Sequence, residues 1–233
     1  MAAAIPTAID ARPDIGLLRL LQLVSPTLPV GAFACSQGME WAVEVGWLCN
    51  AGQTARWIGG LLTQNLANFD VPIFKRLYGA WQDGDTKAFD HWNGYLLAGR
   101  GTAELQQEER HMGQSLLRLL LQLMPGNSLR EPDGGPAFTA MFAMAACNWR
   151  ISLEAACTGL LWAWAENQVA AAVKLIPLGQ TDGQRLLMDL AGHIPRAVQH
   201  GLALNDDAIG ASAPGLSMAS ALHETQHTRL FRS

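Results

Sequence analysis

The chain has 233 residues, of which 49% are hydrophobic and only 15% charged, with a formal net charge of −4. That length fits one domain with a large core, and the mild acidity argues against nucleic acid as the main partner. Charge well below the ~25% usual in soluble domains leaves a helical protein little polar material for its outside, so part of that outside is expected to be covered by another chain.

The opening "MAAAIPTAID" has no basic segment ahead of an apolar one, and Pro6 and Asp10 interrupt it, so no targeting signal is expected. The longest apolar run, Ala155 to Ala165, is too short to cross a bilayer. Cys35, Cys49, Cys147 and Cys157 form no CxxC pair and are expected to be reduced core residues of a cytoplasmic protein.

In chain order, "IGLLRLLQLV" places apolar residues on a broad helical face and stops at Ser25-Pro26. "SPTLPVGAFACSQG" reads as a loop, with Ser36 as N-cap of a helix over "QGMEWAVEVGW". Asn50 and Gln53 have capping-box spacing before "TARWIGGLLTQNLANF". Asp70 precedes Val71-Pro72 and reads as the cap of the next helix, and Asp85 opens another through "FDHWNGYLLAG". "TAELQQEERHMGQSLLRLLLQLM" is one long helix ending at Pro125-Gly126, after which the Pro/Gly-rich stretch near 125–135 breaks the chain. Helices over about 136–148 and 152–176 follow, the second apolar nearly all round and so expected to be central. Thr181 and Gln184 form a further capping box, Pro195 kinks or divides that helix, and Ser217 starts a last helical stretch after "NDDAIGASAPG". No segment alternates with period two. The expectation is an all-α, single-domain bundle of about eight to ten helices, with a helical core over 1–216 and a carboxyl-terminal docking tail over 217–233.

His223-Glu224-Thr225-Gln226-His227 matches HExxH, which on a helix sets two imidazoles one turn apart beside a glutamate that acts on a zinc-bound water. A zinc hydrolase needs a third ligand, and no residue after His227 is His, Cys, Asp or Glu. His91, His111, His193 and His200 stand in no metal spacing with one another. The plainer reading is two surface histidines on a helix turn, at a chain end where fraying is the default. No GxxxxGK[ST] and no GxSxG occur. A zinc-dependent hydrolase using HETQH and a helical interaction module of another complex remain as alternatives. No catalytic residue, resident metal or cofactor is assigned.

Four collinear stretches point elsewhere: "LPVGAFACSQGMEWAVE", "ELQQEERHMGQSLLRL", "AAVKLIPLGQTDGQRLL" and "SALHETQHTRLFRS". Together they resemble the urease accessory protein F family, UreF, in one register over almost the whole chain. The resemblance implies an all-α homodimer in the cytoplasm, without catalysis of its own. It also implies a scaffold joining UreD (UreH in some organisms) to the GTPase UreG, through which nickel reaches apo-urease. From charge and the short apolar runs, neither nucleic acid nor a membrane is expected as a partner.

Carried onto this chain, the "LPVG" motif supplies Phe33, Ser36 and Glu40 as partner-binding residues; many relatives have Tyr at the Phe33 position. Phe33 reads either as an interface anchor or as plain core. Asp70 joins the set, as does Glu104, which lies four residues before Glu108 in a like-charge pair that either awaits a basic partner or is simply solvated. Lys174 either satisfies the last carbonyls of its helix or presents a charge to a partner. Gln180 and Asp182 follow in the next turn. From the tail come His223, Glu224, Arg229, Leu230, Phe231 and Arg232, in a segment expected to be mobile until a partner orders it. UreD is assigned to the tail and the LPVG region, and UreG to a charged surface of the dimer.

Overall fold

A computed structural model describes residues 15–126 and 129–233. The opening stretch read for targeting signals, and positions 127 and 128 of the Pro/Gly loop, lie outside the described residues. Every regular element within them is helical: α1 (Ile15–Leu23), α2 (Met39–Glu44), α3 (Ala51–Gly60), α4 (Asp70–Gln82), α5 (Thr86–Ala98), α6 (Ala103–Leu123), α7 (Phe138–Asn148), α8 (Leu153–Leu175), α9 (Gln180–Ala191), α10 (Ile194–Ala203) and α11 (Pro214–His223). A π-helical stretch, Leu61–Leu66, continues α3.

Several caps fall where the residue types place them. Asn50 Oδ1 accepts from Gln53 N at 3.0 Å, Asp85 Oδ1 from Ala88 N at 2.9 Å, and Ser152 Oγ from Ala155 N at 3.3 Å. Pro195 divides the helix as expected, sitting in the first turn of α10.

Three other expectations are corrected. Asp70 lies inside α4, and its carboxylate pairs with Arg100 rather than capping. Thr181 lies in the first turn of α9, which begins after Gly179 without a side-chain cap. Ser36 stands outside α2, which starts at Met39 after a left-handed Gly38, although its Oγ still accepts from Glu40 N in the first turn at 3.3 Å.

The centre of the bundle is shared by α7 and α8. All residues of α7 from Thr139 to Ala146 are buried, and its alanines let α4 and α6 lie close on either side. Gly113 on α6 completes that approach, since a Cβ there would stand 2.2 Å from Pro136 O. α8 touches α1, α2, α3, α4, α7, α9 and α10, the central place its all-round apolar pattern predicts. α11 sits at one end of this core, against α2 and α6. Cys35 and Cys157 are buried as expected, whereas Cys49 is exposed and Cys147 half-buried.

Candidate partner-binding site

The site begins in the loop between α1 and α2. Gly31 takes φ +85°, and the following turn of 3-10 helix, Ala32–Ala34, turns Phe33 outward until it is 68% exposed. The choice between core and surface for Phe33 thus falls to surface. Glu40, in the first turn of α2, is buried.

Against this loop the chain end folds back. α11 stops at His223, and Leu230 and Phe231 donate their backbone N–H groups to Glu40 Oε1 and Oε2 at 2.6 and 2.9 Å. Arg232 N donates to Ala34 O at 2.8 Å, and Ser36 donates both N–H and Oγ–H to Ser233 O at 2.6 and 2.7 Å. Ser233 Oγ donates to Glu108 Oε2 at 2.5 Å, Gln37 Nε2 donates to Glu108 Oε1, and Trp164 Nε1 donates to Gln37 Oε1. The tail is thereby tied through α6 to α8. Phe231 is buried, with Lys174 Nζ 5.5 Å from its ring centroid.

The expectation of a tail mobile until bound is therefore not what the structure draws. The reason is that the tail need not bury itself alone: the body supplies acceptors for its backbone and a seat for Phe231. Leu230 remains 66% exposed.

Of the two histidines expected at the surface, His223 is instead the fully buried joint of this arrangement. Its Nδ1 lies 2.8 Å from Glu104 Oε2 and its Nε2 3.3 Å from Glu40 Oε2. Arg229 Nη1 donates to the other Glu104 oxygen at 2.8 Å. Glu224 accepts from Glu104 N at 3.3 Å, and Ser220 and Thr102 share a hydroxyl bond at 2.7 Å. This geometry does not favour the zinc reading. The helix ends at His223, His227 lies beyond it and is exposed, and both nitrogens of His223 already face carboxylates. Among the described residues no group of three or more His, Cys, Asp or Glu is placed to hold a metal ion. No described helix is long and apolar enough to cross a membrane.

Of the residues singled out in the sequence, Ser36, Glu40, Glu104, Lys174, His223, Glu224, Arg229, Leu230, Phe231 and Arg232 come together here, with Phe33 at the edge. Asp70, Gln180 and Asp182 take no part in this hydrogen-bonded network. Asp70 shares Arg100 with Glu109, and its buried Oδ2 has no hydrogen-bond partner among the described residues. Burial pushes its carboxyl above the usual range, against the pull of Arg100. Asp70, Lys174 and Gln180 line a cavity of about 460 Å³ that also reaches Phe33 and Glu108. Asp182 forms an exposed ion pair with Arg185. The residues that sequence reasoning did not assign are Gln37, Glu108, Trp164, Thr102, Ser220 and Ser233. The one signal for them was the Glu104/Glu108 pair: both carboxylates serve the chain's own tail.

Comparison with known proteins agrees with the resemblance in the motifs. The UreF family profile matches residues 48–191. The chain is 48% identical over 225 residues to the urease accessory protein UreF of Alkalilimnicola ehrlichii, covering 96% of this chain and 99% of that protein. It is 45% identical to that of Chromohalobacter salexigens (97% and 98% covered) and 48% identical to that of an Azoarcus species (93% and 95% covered). The chain belongs to the UreF family of urease accessory proteins.

Proposed function

We propose that this chain is a non-catalytic, dimeric scaffold of urease maturation in the cytoplasm, joining UreD (UreH) to UreG and so supporting nickel insertion into apo-urease. The docked chain end and the LPVG loop form the UreD-binding surface, and a charged surface of the dimer receives UreG. The observation that carries this reading is the bonding of segment 230–233 to segment 34–36, which puts two strongly exposed apolar side chains, Phe33 and Leu230, on neighbouring strips of chain beside Arg229 and Arg232. Exposed apolar anchors with arginines at their rim are the composition of a protein interface rather than of a solvated surface. Self-association draws support from α1, which exposes Ile15, Leu18 and Leu21.

The test is co-purification of the tagged chain with UreD and UreG. Retention of both is expected. Phe33→Ser with Leu230→Ser should lose UreD while leaving helicity and self-association unchanged. If neither protein is retained by the unaltered chain, the scaffold reading fails; if the double variant retains UreD fully, the surface has been misplaced.

A further inference from the structure

The cavity that reaches Phe33 and Glu108 has a polar corner made by Asp70 at the start of α4, Arg100 between α5 and α6, and Glu109 on α6. Arg100 Nη2 donates to Asp70 Oδ1 at 2.5 Å and to Glu109 Oε2 at 2.8 Å, and Glu109 Oε1 accepts from Thr139 N at 2.8 Å. Three of the four carboxylate oxygens are thus taken. The fourth, Asp70 Oδ2, is buried on a residue only 3% exposed and meets no protein donor among the described residues. Asp70 lines the cavity, so with Oδ1 turned to Arg100 the remaining oxygen is the one left for an occupant. Asn65 and Thr139, whose side chains carry further acceptor oxygens, line the same cavity. Asn65 lies on the π-helical stretch Leu61–Leu66, a widening of the helix often found at functional sites.

The volume of about 460 Å³ is that of a small-ligand site, and much of the wall is apolar, with Leu23, Leu160, Leu161 and Val169 among its residues. The charged residues of the lining are Asp70, Glu108, Glu109 and Glu166 against Arg100 and Lys174, a balance that disfavours an anion. One carboxylate oxygen is no coordination set, and no described group of three or more His, Cys, Asp or Glu is placed to hold a metal ion. We propose that the cavity binds a small primary alkylammonium ion, with its head on Asp70 Oδ2 and its chain along Leu23, Leu160, Leu161 and Val169. The head brings the positive charge that Arg100, divided between two carboxylates, does not supply in full. Its other N–H groups draw on Asn65 and Thr139. The rise that burial imposes on the Asp70 carboxyl, despite Arg100, expresses the same shortage of positive charge.

The test is a methyl NMR titration of the full chain with hexylammonium, hexan-1-ol and hexanoate at about pH 7, where the amine is protonated. Hexylammonium should saturate with a Kd of about 1 mM or tighter, and its chain should contact the methyls of Leu160, Leu161 and Val169. It should bind about ten-fold or more tightly than hexan-1-ol, which has the same chain without the charge. Hexanoate should not displace it. Asp70→Asn keeps the shape of the corner and removes its charge, and should bring the preference over the alcohol to within about two-fold. The methyl spectrum of that variant shows whether it folds; if it does not, the ranking of the three ligands and their contacts on the unaltered chain decide alone. No saturable binding overturns the proposal. So does equal affinity for the alcohol, which would make the cavity an apolar one only, or tighter binding of hexanoate. Contacts outside the cavity, or a preference that a folded Asp70→Asn retains, overturn it as well. No partner protein takes part, so this result stands apart from any failure of UreD docking.

Discussion

Gly38 lies beneath the backbone of Ser220, so close that a Cβ on it would stand 2.6 Å from the Ser220 nitrogen. Its φ of +76° is in the left-handed region as well. Two demands thus fall on one residue, a turn into α2 and the close approach of α11. Gly38→Ala meets backbone on the far side, which cannot move aside as a flexible side chain would. A loss of about 2–4 kcal/mol is expected. Because α11 carries His223, protection at Leu230 and Phe231 should fall too. Thermal unfolding showing a loss under about 0.5 kcal/mol would mean that α11 can shift freely on α2.

Glu40→Ala tests the other side of the joint. It leaves the N–H groups of Leu230 and Phe231 without an acceptor and strands His223 Nε2. Unsatisfied groups of this kind cost about 1–3 kcal/mol each when they stay buried. Here they need not stay buried, because the chain end can lift off and find water. The global loss is therefore capped at the free energy of seating the segment. Exchange at residues 230–231 should rise to near the unprotected rate while the urea midpoint moves little. Equal effects on both would show the tail to be part of the cooperative core.

Much of the helical frame is legible locally, because Asn50, Asp85 and Ser152 sit at helix starts with nothing competing for their side chains. Asp70 and Thr181 mislead for physical reasons. Arg100 claims the Asp70 carboxylate from thirty residues away. At α9, Gly183 seats against Val173 of α8, where a Cβ would come within 2.8 Å, and the helix begins ahead of Thr181. The site is harder still, since most of its bonds join positions more than a hundred residues apart. Glu104 and Glu108 hint at it as unbalanced acids on one face. Nothing local says that their partners lie in the same chain.

Glu108 makes a pH prediction. Burial pushes its carboxyl above the ordinary range, although the bonds from Ser233 and Gln37 pull the other way. A raised folded value means the folded state binds the proton more tightly than the unfolded one. Glu108 therefore favours folding below the ordinary carboxylate range, and that contribution disappears as pH rises through the raised value. Glu108→Gln keeps an acceptor for Gln37 and offers a donor to Ser233 Oγ without the charge. It should be at least as stable as the unaltered chain at pH 7, and its advantage should shrink towards pH 4. Denaturation midpoints at the two pH values decide it; a variant less stable at pH 7 than at pH 4, relative to the unaltered chain, would show the ionised carboxylate to be favoured by the fold.

Arg229 separates stability from docking. Its side chain is 38% exposed and its ion pair with Glu104 lies at the rim. A pair screened by solvent contributes less than about 1 kcal/mol, so Arg229→Ala should barely move the unfolding midpoint. Under the scaffold reading, UreD covers this rim, water leaves, and the guanidinium keeps its Glu104 bond while presenting its remaining donors to the partner. The same truncation should then cost about 2 kcal/mol of affinity, roughly thirty-fold in Kd. Adding salt should narrow the gap between the two proteins, since part of the lost interaction is charge. Titration of labelled UreD with each form, at two ionic strengths, gives both numbers. If affinity is unchanged while the midpoint drops by more than about 1 kcal/mol, Arg229 is a brace for the chain end and UreD docks elsewhere.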